Sequence, residues 1–377
     1  MRALILCLGV AFSACVPMAV EGPPGAAAAP PRAFADPSAS DRAAGADRFP
    51  VRVNGRWGYI DRRGQLAVTP RYDAARPFRE GRAAVQTANG WGFVDPAGRM
   101  AVAPVWDEAS DFAGGRARVA VRTDSGLRDG FVDAEGAIVV PAETFGAYDF
   151  GGGLAPVRRL SRFTPFGLRL LAPLATLNLG PWTLVGPDGR PQAMLNAESV
   201  VTGSALPDGR VLFPVAVAVG PTRVRRWGFA DAEGELAVAP RFQAAGRFAE
   251  GLAPVALDGA FGFIDAAGTV QIAPRYDVAA SFSDGRARVL LGALWGYVRP
   301  DGSLAGEIAW DAALDASSGR AAVQRDGLWG YLGPDGALAL PLQYAFAAPF
   351  QNGLALVRDA DGLAYIDTEG DVVWRGE

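Results

Sequence analysis

Carboxylates are the residues of this chain best placed to do chemistry. Histidine is absent and the two cysteines, Cys7 and Cys15, both lie at the extreme N-terminus. That excludes a Ser-His-Asp or Cys-His nucleophile, an imidazole base and any histidine-ligated metal in the body of the chain. What remains is paired-carboxylate hydrolysis of the glycosidase type, or oxygen ligation of a hard cation. Yet Asp61, Asp95, Asp231 and Glu250 each recur at equivalent positions of a repeated pattern, and no acid stands apart from it. Turn-forming roles account for them, and no copy carries the dense Asp/Asn run of a calcium loop. The expectation is therefore a non-enzyme without cofactor or metal.

Repeated aromatics are the second candidate chemistry. A row of Trp and Tyr could stack on sugar rings, but the same residues sit at the most patterned strand positions, where packing accounts for them. A net charge of -4, with no basic cluster, argues against a nucleic-acid partner.

The elements that position these residues are copies of one unit. Its opening stretch, WGYIDRRG at 57–64, returns at 91 as WGFVDPAG. Further copies begin at Asp129, Trp182, Trp227, Phe261, Trp295, Trp329 and Leu363, at spacings of 34, 38, 53, 45, 34, 34, 34 and 34 residues. Each continues with an apolar-proline-aromatic stretch such as AVTPRYD (67–73) or QIAPRYD (271–277). An aromatic, a small polar pair, glycine and Ala-x-Val follow, as in PFREGRAAV (77–85).

Ala-x-Val reads as a short alternating strand and W-G-[YF]-[IV]-D as a second. Asp-x-x-Gly then suits a turn in which Asp caps N–H groups and Gly takes positive φ. The apolar stretch before the proline is a third strand, and Phe78 or Phe248 pins the following loop inward. The repeat positions singled out are Trp57, Gly58, Asp61 and Gly64; Trp91, Gly92, Asp95 and Gly98; Trp227, Gly228, Asp231 and Gly234; and Trp295, Gly296, Trp329 and Gly330. The second residue of the motif is expected to let a neighbouring backbone or ring come close.

The pattern resembles the WG-repeat family, found mostly in bacteria, over about residues 48–377. The resemblance implies β-rich repeats and a scaffold for protein or ligand contacts. The expected fold is all-β: a tandem array of about nine three-stranded antiparallel repeats. An open or superhelical array is preferred to a closed, propeller-like ring, because each unit offers three strands and both termini carry a whole unit. Leu363 in place of the opening tryptophan suits a capping repeat. Arg299 and Gly333 replace the turn acid in copies seven and eight, which argues against a ligand shared by all copies.

Residues 1–14, with Arg2 and a short apolar run, read as a signal peptide. FSAC, ending at Cys15, resembles a lipobox, so Cys15 is the expected lipidation site; an ordinary secretory signal cut near Ala19 is the alternative. Residues 15–47 read as an Ala/Pro/Gly tether. The expected place is then the bacterial envelope, lipid-anchored, or else secreted or periplasmic. Repeats 1–3 occupy 48–158, an atypical fourth repeat with insertions 159–226, and repeats 5–9 227–377. The apolar stretch 159–182 is either a folded-back loop or an excursion that docks a protein or glycan partner, and 199–221 reads as an extra hairpin.

Overall fold

The computed structural model describes residues 47–124, 126–160 and 179–376. The expected signal peptide, Cys15, nearly all of the tether and the middle of the 159–182 stretch lie outside the described residues. Within them there is no helix.

Nine small antiparallel sheets are arranged as a nine-bladed β-propeller. Blades 1 to 9 span 49–72, 74–106, 108–144, 146–195, 199–242, 244–276, 278–298, 312–344 and 346–375. This corrects the expected open array in favour of its alternative. The strand count misled because most blades carry a fourth strand of only two residues, such as Ala74–Ala75 or Ala244–Ala245. Two residues are too few to leave a period in the sequence. Ala74 and Ala75 pair with Gln86 and Val85, which adds this strand beside the Ala-x-Val strand.

The ring closes through one contact repeated nine times. The turn glycine of each blade packs on the outer strand of the blade before it or, where that is blade 7, on its outer segment at Ala305. A Cβ on Gly98 would meet the Val68 side chain, one on Gly268 that of Val238, and one on Gly370 that of Leu340. Gly64 of blade 1 lies in the same way against Val373 of blade 9. The last blade is therefore no cap. Phe49, Val51 and Ile60 share a core cluster with Leu354 and Tyr365, and a single meander that could not stand alone is buried on both faces.

The second glycine of the motif answers to backbone. At Gly92 a Cβ would lie 2.6 Å from the Val102 carbonyl and 2.8 Å from Pro104. The third strand bulges there, pairing Phe93 with Val102 and Trp91 with Trp106, so it crosses directly over the glycine.

Inter-blade cores are built on one ring pair. The strand aromatic of one blade meets the loop phenylalanine of the next, as Tyr59–Phe78 at 4.8 Å and Phe93–Phe112 at 4.9 Å, both edge-on. Such geometry is worth about 0.5–1.5 kcal/mol beyond burial. Blade 5 rearranges it: Gly203 stands at the loop position and Phe213 at the strand position that is alanine in seven other blades. A Cβ on Gly203 would meet the Phe213 ring.

Candidate functional site

The repeated acids all face the architecture. Asp61 Oδ1 accepts the Arg63 and Gln65 amides at 2.8 and 3.0 Å, and Asp95 Oδ1 those of Ala97 and Arg99 at 3.0 and 2.9 Å. Asp231 does the same with Glu233 and Glu235. Gly64 closes the turn with its own amide on the Asp61 carbonyl at 3.1 Å and takes φ +74°. The Gln65 amide bond leads in holding the Asp61 carboxyl below its ordinary range.

A second set caps the next blade's hairpin. Asp107, Asp277 and Asp311 accept the amides of Arg122, Gly292 and Asp326 at 2.6, 2.6 and 2.8 Å. A third set links turn to turn between blades. Glu80, held at φ +49°, accepts the Gly114 and Gly115 amides at 2.9 and 2.7 Å, and Asp284 accepts that of Gly319 at 2.6 Å. Paired left-handed residues such as Glu80 and Gly81 match the twist of a two-residue hairpin.

None of the nine tryptophans is exposed: Trp57, Trp91, Trp227, Trp295 and Trp329 are half-buried. Guanidinium groups lie over several of their rings, with Arg76 at 5.5 Å from Trp91, Arg225 at 5.5 Å from Trp227 and Arg288 at 5.0 Å from Trp295. Gly58, Gly228 and Gly330 lie against the outer strand as Gly92 does, whereas Gly296 meets Ile308 and Glu307. Gly234 abuts the Met194 carbonyl of the preceding blade. Among the described residues no three acids cluster as a metal site would require.

Departures from the repeat gather at two seams. Between blades 3 and 4, Asp129 stands where six other copies carry tryptophan. It pairs with Arg118, whose Nε lies 3.9 Å from Asp149, and one seam back, between blades 2 and 3, Arg76 lies 3.8 Å from Asp111. Burial pushes the Asp111 carboxyl up, against the pull of Arg76 and Arg79. Between blades 7 and 8, Arg288 lies 3.2 Å from Asp315 and donates to the Ala313 carbonyl at 2.8 Å. The sequence showed these residues only as variable positions; the signal for them was R-A-R in GGRARV and DGRARV, each followed one unit later by an acid.

The 159–182 stretch is partly ordinary blade. Ala155–Leu160 and Leu179–Val185 are paired strands of blade 4, in register Leu160 with Leu179, and Trp182 is buried. Residues 161–178 thus connect the two central strands of blade 4. In the 199–221 stretch, Ser204–Ala205 pairs with Val211–Leu212 as an extra hairpin around the turn at 206–210.

No curated protein matches the chain. A crystal structure of a eukaryotic initiation factor is similar in fold at 11% identity, covering 86% of this chain and 94% of that one, with a TM-score of 0.60. PorZ, a surface component of the type-IX secretion system of Porphyromonas gingivalis, matches at 13% identity over 88% of this chain and 51% of its own, with a TM-score of only 0.33. The model of the WG containing repeat matches six times, at 57–90, 91–122, 227–259, 261–295, 295–329 and 329–362, together more than half of the sequence. The chain belongs to the WG containing repeat family.

Proposed function

We propose that this protein is a non-catalytic binding or assembly scaffold of a bacterial envelope, carried on a lipid at Cys15 through the 15–47 tether. One observation carries the reading: the repeated acids spend their oxygens on backbone amides of their own turn, the next hairpin or the next blade. Chemistry that could have turned over a substrate is consumed in holding a rigid ring. Rings of this kind offer many loops on a fixed frame, and here the longest stretch of sequence outside the repeat pattern falls between the paired residues Leu160 and Leu179 of blade 4.

Glycan binding through the repeat tryptophans is the weaker reading, because Arg76, Arg225 and Arg288 occupy the ring faces that a sugar would use. The test is a cross-linked pull-down of the full chain from its own envelope beside a variant lacking 161–178. Loss of a specific partner is expected, and an unchanged partner set would sink the idea that this connection docks it. Palmitate labelling, lost in Cys15→Ala, tests the anchor. Cleavage of peptidoglycan or another polysaccharide, abolished by changing one acid, would overturn the non-catalytic reading.

A further inference from the structure

The seam between blades 7 and 8 breaks the repeat in several ways at once. Ala316 stands at the position of the loop phenylalanine, so Tyr297 has no ring from the next blade. Arg299 and Gly333 replace two successive turn acids. The outer segment of blade 7, 303–310, forms no strand; it is held by the isolated bridges Val298–Leu304 and Trp295–Trp310 and by the Ala305 and Ala309 amides on the Tyr297 and Trp295 carbonyls at 2.8 and 3.0 Å.

Arg286 responds to all of this. In blades 2, 3 and 8 the equivalent Arg82, Arg116 and Arg320 donate Nε to a carbonyl of the next blade's turn, on Ala134, Pro187 and Thr368. Arg286 instead lies 5.3 Å from the Tyr297 ring centroid and gives only Nη1 to the Gly333 carbonyl, at 2.5 Å. It is 3% exposed, and its buried Nε and Nη2 have no hydrogen-bond partner among the described residues. Those two nitrogens form the side-on edge of the guanidinium, whose parallel N–H bonds match two oxygens of one oxyanion. The acids near it are committed: Asp284 accepts the Gly319 amide and Asp335 the Ala337 amide, while Asp315 of the same seam faces Arg288. A buried cation left in this state is costly unless an anion joins it.

We propose that the Arg286 edge is a receptor for a small oxyanion of the carboxylate or phosphate class, held at the 7–8 seam. The edge is sealed from solvent, so the anion enters by displacing the 303–310 segment, whose Ala305 packs beside Tyr297 and Ala316. This inference stands apart from the scaffold reading, since it needs neither a partner nor an anchor.

Inorganic phosphate, and acetate in a parallel arm, are titrated into the folded protein against chloride at matched ionic strength. Heat of binding and unfolding temperature are followed. Saturable heat and an unfolding temperature raised by several degrees over chloride are expected with at least one of the two; which one responds separates phosphate from carboxylate. Arg286→Lys keeps the charge but loses the paired donors, and removes the effect. Ala316→Phe restores the repeat's own ring, keeps the fold and also removes the effect, so the test survives if the lysine variant does not fold. No difference from chloride in the unaltered protein, or an equal response in Ala316→Phe, overturns the proposal in favour of a sealed, purely structural arginine.

Discussion

The Tyr365 hydroxyl donates to the Pro50 carbonyl at 3.0 Å, across 315 residues of sequence. Elsewhere the same hydroxyl reaches a residue 17 positions ahead, as Tyr59 to Arg76 at 2.9 Å and Tyr331 to Ala348 at 2.8 Å. At the ring closure Pro50 takes that place, and Phe49 packs 5.6 Å from the Tyr365 ring as the loop phenylalanines do elsewhere. The closure thus rests on side chains of the first strand. Tyr365→Phe should cost about 0.5–1.5 kcal/mol and Tyr365→Ala about 3–5 kcal/mol, read from urea unfolding of the purified chain. A neutral Tyr365→Ala would mean that the ring is not closed in solution.

Gly92→Ala should destabilise by about 1–3 kcal/mol or more, since its Cβ is driven into the Val102 carbonyl. Gly146→Ala is the matched control: its Cβ meets nothing nearer than the Trp182 ring at 3.6 Å. Equal unfolding temperatures for the two variants would contradict the strand crossing at Gly92.

The ring in blade 5 can be moved back. Gly203→Phe alone is expected to clash with Phe213, and Phe213→Ala alone to lose about 3–5 kcal/mol. The double variant restores the arrangement of the other blades and should be more stable than the sum of the single changes predicts. Additive effects in the cycle would show that the two positions do not share one space.

Acid should loosen the turns. The Asp61 carboxyl is held low first by the Gln65 amide, and that of Asp359 first by Arg375. A folded value below the unfolded one gives stability that is complete above the ordinary carboxylate pKa of about 4 and is lost as pH falls through the lower folded value. Unfolding temperature should therefore hold from neutral pH to about 5 and then fall, less steeply in Asp61→Asn. An unchanged acid limb in that variant would remove the turn from the account.

Repetition made the unit legible. Trp57-Gly58 and its copies, the Asp61–Gly64 turn and the Ala-x-Val strand each leave a period or a turn residue in the sequence, because local backbone geometry demands it. The number of units followed from spacing, and their all-β character from the alternating strands and the turn residues between them. Closure did not, since it depends on whether small rotations between blades sum to a full turn, and no single unit encodes that sum. The two-residue fourth strand left no pattern, so the blades looked one strand short. The sequence likewise marked Arg299 and Gly333 as departures without showing what they surround. Only the packed ring places them beside Arg286 and Ala316, because a missing ring in one blade and a turned guanidinium in its neighbour meet solely across the seam.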